Sequence, residues 1–186
     1  AGDAQVAGGT IRCCCPQQDD GELERALQWL GAKFTVNANP SPAGFGKQAR
    51  FGMQLRVDEL NEQSGGVHGR KIKLVFEDSA YDPRKAVLAA QKLVNQDKVF
   101  AVVGHIGTAQ NMAAMPVQFE KNVLNFYPIT AAREMYEPFH KLKFSFAASY
   151  YDQMRIFAPR LFKEKSAKKA CSMYQDDEFG LEVLRG

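Results

Sequence analysis

From Gly44 onward the chain alternates between stretches of helical period and stretches of strand period, and this alternation limits the fold more than any other feature. Ala49, Met53, Val57 and Leu60 recur at spacings of four, four and three, so they share one helical face, while Gln54, Arg56 and Glu59 fall away from it. Ser64-Gly65-Gly66 then supplies a glycine stop, where a left-handed residue ends a helix. Ile72, Leu74 and Phe76 alternate with Lys71, Lys73 and Val75, the pattern of a strand buried mainly on one face. Asp82-Pro83 opens a second helix, because Asp caps free amides and Pro at the first position loses no hydrogen bond. Its buried stripe is Ala86, Ala89, Ala90, Leu93 and Val94. The continuous apolar run Val99 to Val103, closed by Gly104, predicts a central parallel strand covered on both faces.

The alternation continues. Thr108 to Lys121 carries Met112, Met115 and Phe119 on one face, with Pro116 inside it. Val123 to Phe126 reads as a strand, Ala131 to Glu137 as a short helical piece and Lys143 to Ala147 as an extended segment. Tyr151 to Lys165 is helical, with Met154, Ile156, Phe157, Leu161 and Phe162 apolar; Lys169 to Tyr174 is a strand and Gly180 starts another helix. Strands alternating with helices imply an α/β fold, a doubly wound parallel sheet with right-handed crossovers. The best-defined domain runs from about Ala43 to Ala147. In such sheets ligands bind outside the carboxyl ends of the strands, which selects Asp78–Asp82, Gly104–Gln110, Tyr127–Ala132 and Ser149–Tyr151.

The first forty-odd residues differ. Ala1 to Asp20 is small, polar and cysteine-rich without a period; Glu22 to Leu30 fits a short helix, Lys33 to Ala38 a weak strand and Asn39-Pro-Ser-Pro42 a loop. No basic region precedes an apolar stretch at the start, so a secretory signal is not visible in this chain. Cys13, Cys14 and Cys15 are consecutive, whereas structural zinc sites space their thiolates by about two to four residues. Cys171, in an apolar run, reads as a small buried hydrophobe. A net charge of +3 is too small to name a partner, and the basic cluster Lys163 to Lys169 is broken by an acid and reads as a solvated loop, so nucleic-acid binding is not expected.

At the strand ends, Gly104-His-Ile-Gly-Thr-Ala-Gln110 follows a buried strand and opens a helix. Glycines allow close backbone approach there, and the helix N-terminus presents unpaired amides to a carboxylate or phosphate, with Thr108 adding a hydroxyl. The alternative is that Thr108 merely caps its helix. A dinucleotide fingerprint lacks its third glycine and no Walker A loop occurs, so no nucleotide cofactor is expected. His105 with Thr108, Asp78 and Asp82 could be assembled into a catalytic set, but no G-x-S-x-G elbow fixes a nucleophile. A hydrogen-bonded structural His105 is the plainer reading, and His68 and His140 lie in a turn and a loop without metal-ligand spacing. Tyr127, Thr130, Tyr150 and Tyr151 add hydroxyls and aromatic faces of the kind a small-molecule pocket uses, or simply pack. The chemistry is that of binding rather than catalysis.

Several spaced motifs carry a family resemblance over residues 44–186. They are Asn61-Glu-Gln-Ser-Gly-Gly-Val-His-Gly-Arg-Lys-Ile72, Glu77-Asp-Ser-Ala-Tyr-Asp-Pro83, Ala86 through Leu93, Val99-Phe-Ala-Val-Val-Gly104, Phe126-Tyr-Pro-Ile-Thr-Ala-Ala132, Ser149-Tyr-Tyr151 and Tyr174-Gln-Asp-Asp-Glu-Phe-Gly180. Together they resemble the leucine/isoleucine/valine-binding type of periplasmic solute-binding protein. The resemblance implies a type I periplasmic-binding, or Venus-flytrap, fold whose two lobes close on a small molecule and deliver it to an ABC permease. It implies an amino acid or related carboxylate or amide as ligand, no cofactor, and a periplasmic location. Its domain plan is an atypical segment over 1–43, a first lobe over 44–147 and the start of a second lobe over 148–186, so the chain reads as a fragment.

By the same resemblance, the first-lobe ligand loop falls on His105–Gln110. There Gly107 and Thr108 would offer amide and hydroxyl to a carboxylate. The second polar loop falls on Thr130 and Ala131, and Tyr150 matches an aromatic at the lobe crossing. The leucine-binding members have a Ser-rich stretch where this chain reads Gly107-Thr-Ala-Gln110, which leaves other carboxylates, amides and aromatic acids open besides branched-chain amino acids. Ser64 lengthens the usual Gln-Gly-Gly turn, and Phe34 to Pro42 stands where the family has an Ile-x-Ile-Gly strand and a Ser-Gly-Pro loop. Two rival readings share the fold class: a ligand-sensing regulator or receptor domain for amides, and a doubly wound α/β enzyme.

Overall fold

The computed structural model describes Asp3–Val6, Gly9–Cys13 and residues 43–186. The expected helix over Glu22 to Leu30 and strand over Lys33 to Ala38 lie outside the described residues. Two compact units divide the chain: one holds Ser41–Thr130 and Glu134–Phe146, the other Ala1–Pro40, Ala131–Arg133 and Ala147–Gly186.

In the first of these, α1 spans Ala43–Gln63. Its expected face, Ala49, Met53, Val57 and Leu60, is the half-buried one, and Arg56 pairs with Glu59 on the exposed side at 2.6 Å. Both Ser64 and Gly66 donate their N–H to the carbonyl of Leu60, with Gly65 and Gly66 at φ 65° and 92°, so the glycine stop works as read. A tight turn follows, in which Val67 and Arg70 exchange backbone hydrogen bonds at 2.9 and 3.0 Å around His68 and Gly69, both at positive φ.

The strand expected at Ile72 to Phe76 is not formed: residues 71–79 join no ladder among the described residues. Its alternation survives, with Lys71 and Lys73 exposed and Ile72 and Leu74 half-buried. What Ile72 has in place of a neighbouring strand is Asn61, whose side-chain amide donates to the Ile72 carbonyl and accepts from its N–H, both at 2.8 Å. A period of two fixes which faces side chains take, but a strand exists only where another strand answers its backbone groups.

Helix α2, Pro83–Asn95, starts where Asp82 accepts from Lys85 N–H at 2.9 Å, and it buries Ala86, Ala90 and Val94. A parallel sheet runs β3 (Ala101–Val103), β4 (Leu124–Phe126), β5 (Lys143–Phe144). Among the described residues β3 sits at the edge, which corrects the expectation of a central strand, and Phe100 and Val103 are 83% and 44% exposed, which corrects that of cover on both faces. Unbroken apolar character is compatible with an edge position whenever no further element packs there. Helix α3, Thr108–Glu120, connects β3 to β4, passes through Pro116 and buries Met115, with Met112 and Phe119 half-buried. A short 3-10 helix occupies Arg133–Met135, within the helical piece expected there.

In the other unit α4 covers Tyr150–Lys165, β6 Met173–Gln175 and α5 Glu178–Arg185. The caps are polar: Ser149 accepts from Asp152 N–H at 3.0 Å, and Asp177 from Gly180 N–H at 3.1 Å. Burial raises the Asp177 carboxyl above its ordinary pKa, against the lowering effect of the Gly180 bond. The pairing of β6 departs from the expected parallel sheet. The strand does not extend a parallel sheet but pairs antiparallel with β2 (Gly9–Cys13), which pairs antiparallel with β1 (Asp3–Val6). These two N-terminal strands lie in a stretch with no alternation, so their pairing left no pattern to read. Cys171 is also corrected: it is exposed and disulfide-bonded, not a buried hydrophobe.

Candidate functional site

The carboxyl ends of β3 and β4 lie side by side, and the chain leaves both in parallel. Gly104 N–H donates to the Phe126 carbonyl at 3.3 Å, Ile129 N–H to His105 at 2.9 Å, and Gly107 N–H to Ile129 at 3.4 Å. A parallel bridge between Ile106 and Ile129 completes this extension of the ladder. The two strand-end loops are therefore in register, and Thr108 meets Thr130 with their hydroxyl oxygens 2.7 Å apart.

Thr108 is the first residue of α3 and makes no cap; Gly107 is the N-cap, at φ 98°, and has no side chain to close the first amides. The capping alternative for Thr108 is thus overturned, and the positive end of the α3 dipole is left to backbone N–H groups. Position 107 favours glycine, because its φ is 98° and a Cβ there would lie 1.9 Å from Gln110 Oε1 and 2.8 Å from the Tyr81 ring. Gln110 Nε2 in turn donates to the Tyr81 carbonyl at 2.8 Å.

Two buried asparagines hold the loop from below. Asn111 Nδ2 donates to the carbonyls of His105 and Gly107 at 2.8 and 2.7 Å, and Asn125 Nδ2 donates to Asn111 Oδ1 at 3.3 Å. Neither was singled out in the sequence, although Asn125 interrupts the apolar strand Leu-Asn-Phe and so advertised a buried polar partner. Burial lowers His105 to a pKa of about 4, so the ring is neutral near pH 7 and offers one N–H and one acceptor.

Asp78 and Asp82, which the sequence places near His105, have other duties. Asp78 accepts from Ala80 N–H at 2.7 Å within a turn, and Asp82 caps α2. Tyr127, at φ 50°, is exposed and stacks on Phe126 with ring centroids 4.1 Å apart. Of the six residues expected at the site, His105, Gly107, Thr108 and Thr130 belong to this unit and converge. Ala131 and Tyr150 belong to the other, where Tyr150 N–H donates to the Ala131 carbonyl at 2.9 Å and the Tyr150 ring meets Phe179 edge-on at 5.2 Å. Among the described residues no cluster of His, Cys, Asp and Glu is arranged to hold a metal ion.

This parallel sheet with helices, its polar groups gathered where the strands end, has the fold of type I periplasmic-binding, Venus-flytrap domains by its likeness to solved structures. A solved substrate-binding periplasmic protein from Ralstonia solanacearum superposes with a TM-score of 0.61 at 28% identity, over 67% of this chain and 35% of that one. A possible leucine/isoleucine/valine-binding protein from Rhodopirellula baltica shares the fold at a TM-score of 0.59 and 23% identity, over 66% and 32%.

The chain belongs to the periplasmic binding protein family, whose sequence profile matches residues 40–186. It is 30% identical to an amino acid binding protein of Pseudomonas aeruginosa over 74% of this chain and 37% of that one. To the Leu/Ile/Val-binding protein of Escherichia coli it is 26% identical, over 81% and 41%. The chain thus spans well under half the length of these relatives.

Proposed function

We propose that this chain captures an amino acid or a similar small carboxylate, as part of the substrate-binding component of an ABC importer. The observation that carries the reading is the N-terminus of α3: it is capped by a glycine alone, and a pair of threonine hydroxyls stands beside it. A carboxylate there would accept backbone N–H bonds at the positive end of a helix dipole, with a hydroxyl for its second oxygen. Gly107 and Thr108 would supply those donors. Thr130 would share its hydroxyl with the ligand or with Thr108, His105 would line the site in neutral form, and Ala131 and Tyr150 would add a backbone carbonyl and an aromatic face.

The names of the relatives agree with this chemistry, since they bind amino acids in general or leucine, isoleucine and valine. Residues 44–147 would form the first lobe and residues 148–186 the start of a second. A ligand touching both would favour the closed arrangement by its differential contacts. Periplasmic or other extracytoplasmic residence and docking to ABC permease subunits follow from the same reading.

Amide NMR of the 186-residue chain, titrated with individual L-amino acids and simple carboxylates up to tens of millimolar, tests it. Weak, saturable shifts centred on Gly107–Gln110 are expected. No shift at those amides with any compound would overturn the reading.

A further inference from the structure

A buried carboxylate grips the segment that carries Ala131. Glu182 on α5 is fully buried, and its two oxygens accept from Arg133 Nε at 3.0 Å and Nη2 at 3.3 Å. One of those oxygens also accepts the backbone N–H of Arg133 at 3.2 Å. The guanidinium lies over the Tyr151 ring, 3.9 Å from its centroid. Next to it the Ala131 carbonyl takes the Tyr150 N–H. Backbone and side chain of one residue are therefore held by a single carboxylate that lies 49 positions away in sequence.

Stability alone is a poor account of this arrangement. An ion pair with a fully buried carboxylate gains little net free energy over apolar side chains of similar volume, because the carboxylate and much of the guanidinium lose their water. What such a pair supplies well is direction: a planar guanidinium meets a carboxylate in a fixed fork, and the extra backbone bond transfers that orientation to the main chain. Holding the main chain at Arg133 restrains Ala131, two residues earlier, whose carbonyl is bonded to Tyr150, and the stacked ring of Tyr151 restrains the first turn of α4, which carries Tyr150.

We propose that Glu182 is a positioning residue for ligand capture, acting through Arg133 to set the 131–133 backbone and the start of α4. The proposal rests on the reading that Ala131 and Tyr150 face the ligand. Glu182 itself touches no ligand; it determines where those two residues stand.

The test separates positioning from stability. The 186-residue chain and its Arg133→Met/Glu182→Met double variant are melted and then titrated with L-leucine, L-valine, L-alanine and L-phenylalanine by amide NMR. Glu182→Met alone takes the buried carboxylate away from a half-buried guanidinium and is expected to fold poorly, whereas the double variant removes both charges and should melt within about 5 °C of the parent. Affinity for whichever probe the parent binds should nevertheless fall about tenfold, because misplaced contacts are weak contacts. Arg133→Lys, which keeps the charge but loses the fork and the stacking, should not restore it. A double variant that binds as the parent does would overturn the role of Glu182 and leave the site reading standing. A parent in which no probe moves the Thr108, Ala131 or Tyr150 amides would overturn both.

Discussion

The hydroxyl oxygens of Thr108 and Thr130 lie 2.7 Å apart, on residues that are 1% and 3% exposed. One begins a helix and the other ends a strand loop, so this contact joins the two polar loops of the unit. A hydroxyl is both donor and acceptor, and turning either one redirects the other. Thr108→Val keeps the shape and removes one hydroxyl. It should cost about 1–3 kcal/mol of stability in urea titrations, since the buried Thr130 hydroxyl loses its contact with Thr108. Thr108→Val/Thr130→Val should cost less than the two single losses added together, with a coupling of about 0.5–3 kcal/mol. Strict additivity would show that the contact contributes nothing.

Gly107→Ala should be harsher than its single methyl suggests. Position 107 combines φ 98° with a Cβ site already taken by Gln110 Oε1 at 1.9 Å. The strained backbone alone costs about 1–3 kcal/mol, and Gln110 must also leave the Tyr81 carbonyl to make room. Gly107→Ala/Gln110→Ala should recover part of the lost melting temperature. No recovery would place the damage in the backbone rather than in the Gln110 clash.

His105 makes stability depend on pH in a defined direction. Its folded pKa is about 4 against an ordinary 6.5, so the unfolded chain takes up the proton first as pH falls. Stability from this group is complete above about pH 6.5, declines between there and pH 4, and levels off below, a loss on the order of 3 kcal/mol. Urea midpoints measured at pH 7, 5 and 4 should show the decline, and His105→Gln should flatten it. An equally steep decline in His105→Gln would assign the effect to carboxylates.

Helices proved legible because their signals are local. Asp82-Pro83 started α2, the glycines at 65 and 66 stopped α1, and the 3.6 period of Ala86, Ala90 and Val94 named the buried stripe. Strands were legible only as far as their side chains go. Ile72 and Leu74 have the expected burial without a ladder, and β2 has a ladder without an alternating sequence, because pairing belongs to two segments at once.

The candidate site divides the same way. The rule that ligands approach strand ends selected the loops of Thr108 and Thr130, and the structure brings those two residues together. Asn111 and Asn125, which hold His105 and Gly107 in place, needed knowledge of which helix covers which strand. Arg133 and Glu182 are farther from reach: nothing local distinguishes a glutamate on a short amphipathic helix from a solvated one.

Helix α4 carries the last expectation. It has no fully buried residue, and Ile156, Phe157 and Leu161 are 61%, 60% and 55% exposed, so large apolar side chains face water along one element. Scattered exposed leucines are ordinary, but a helix without a buried face has a driving force to find a cover. The 186-residue chain should therefore self-associate as its concentration rises, and more so in added sulfate, which strengthens apolar burial. Ile156→Lys/Phe157→Glu alters two exposed positions that make none of the cap or ion-pair contacts described above. It should leave the melting temperature nearly unchanged while lowering the mass seen by light scattering. If that variant associates as strongly as the parent, the contact lies elsewhere, and Phe51 and Leu55 on α1, also exposed, are the next surface to alter.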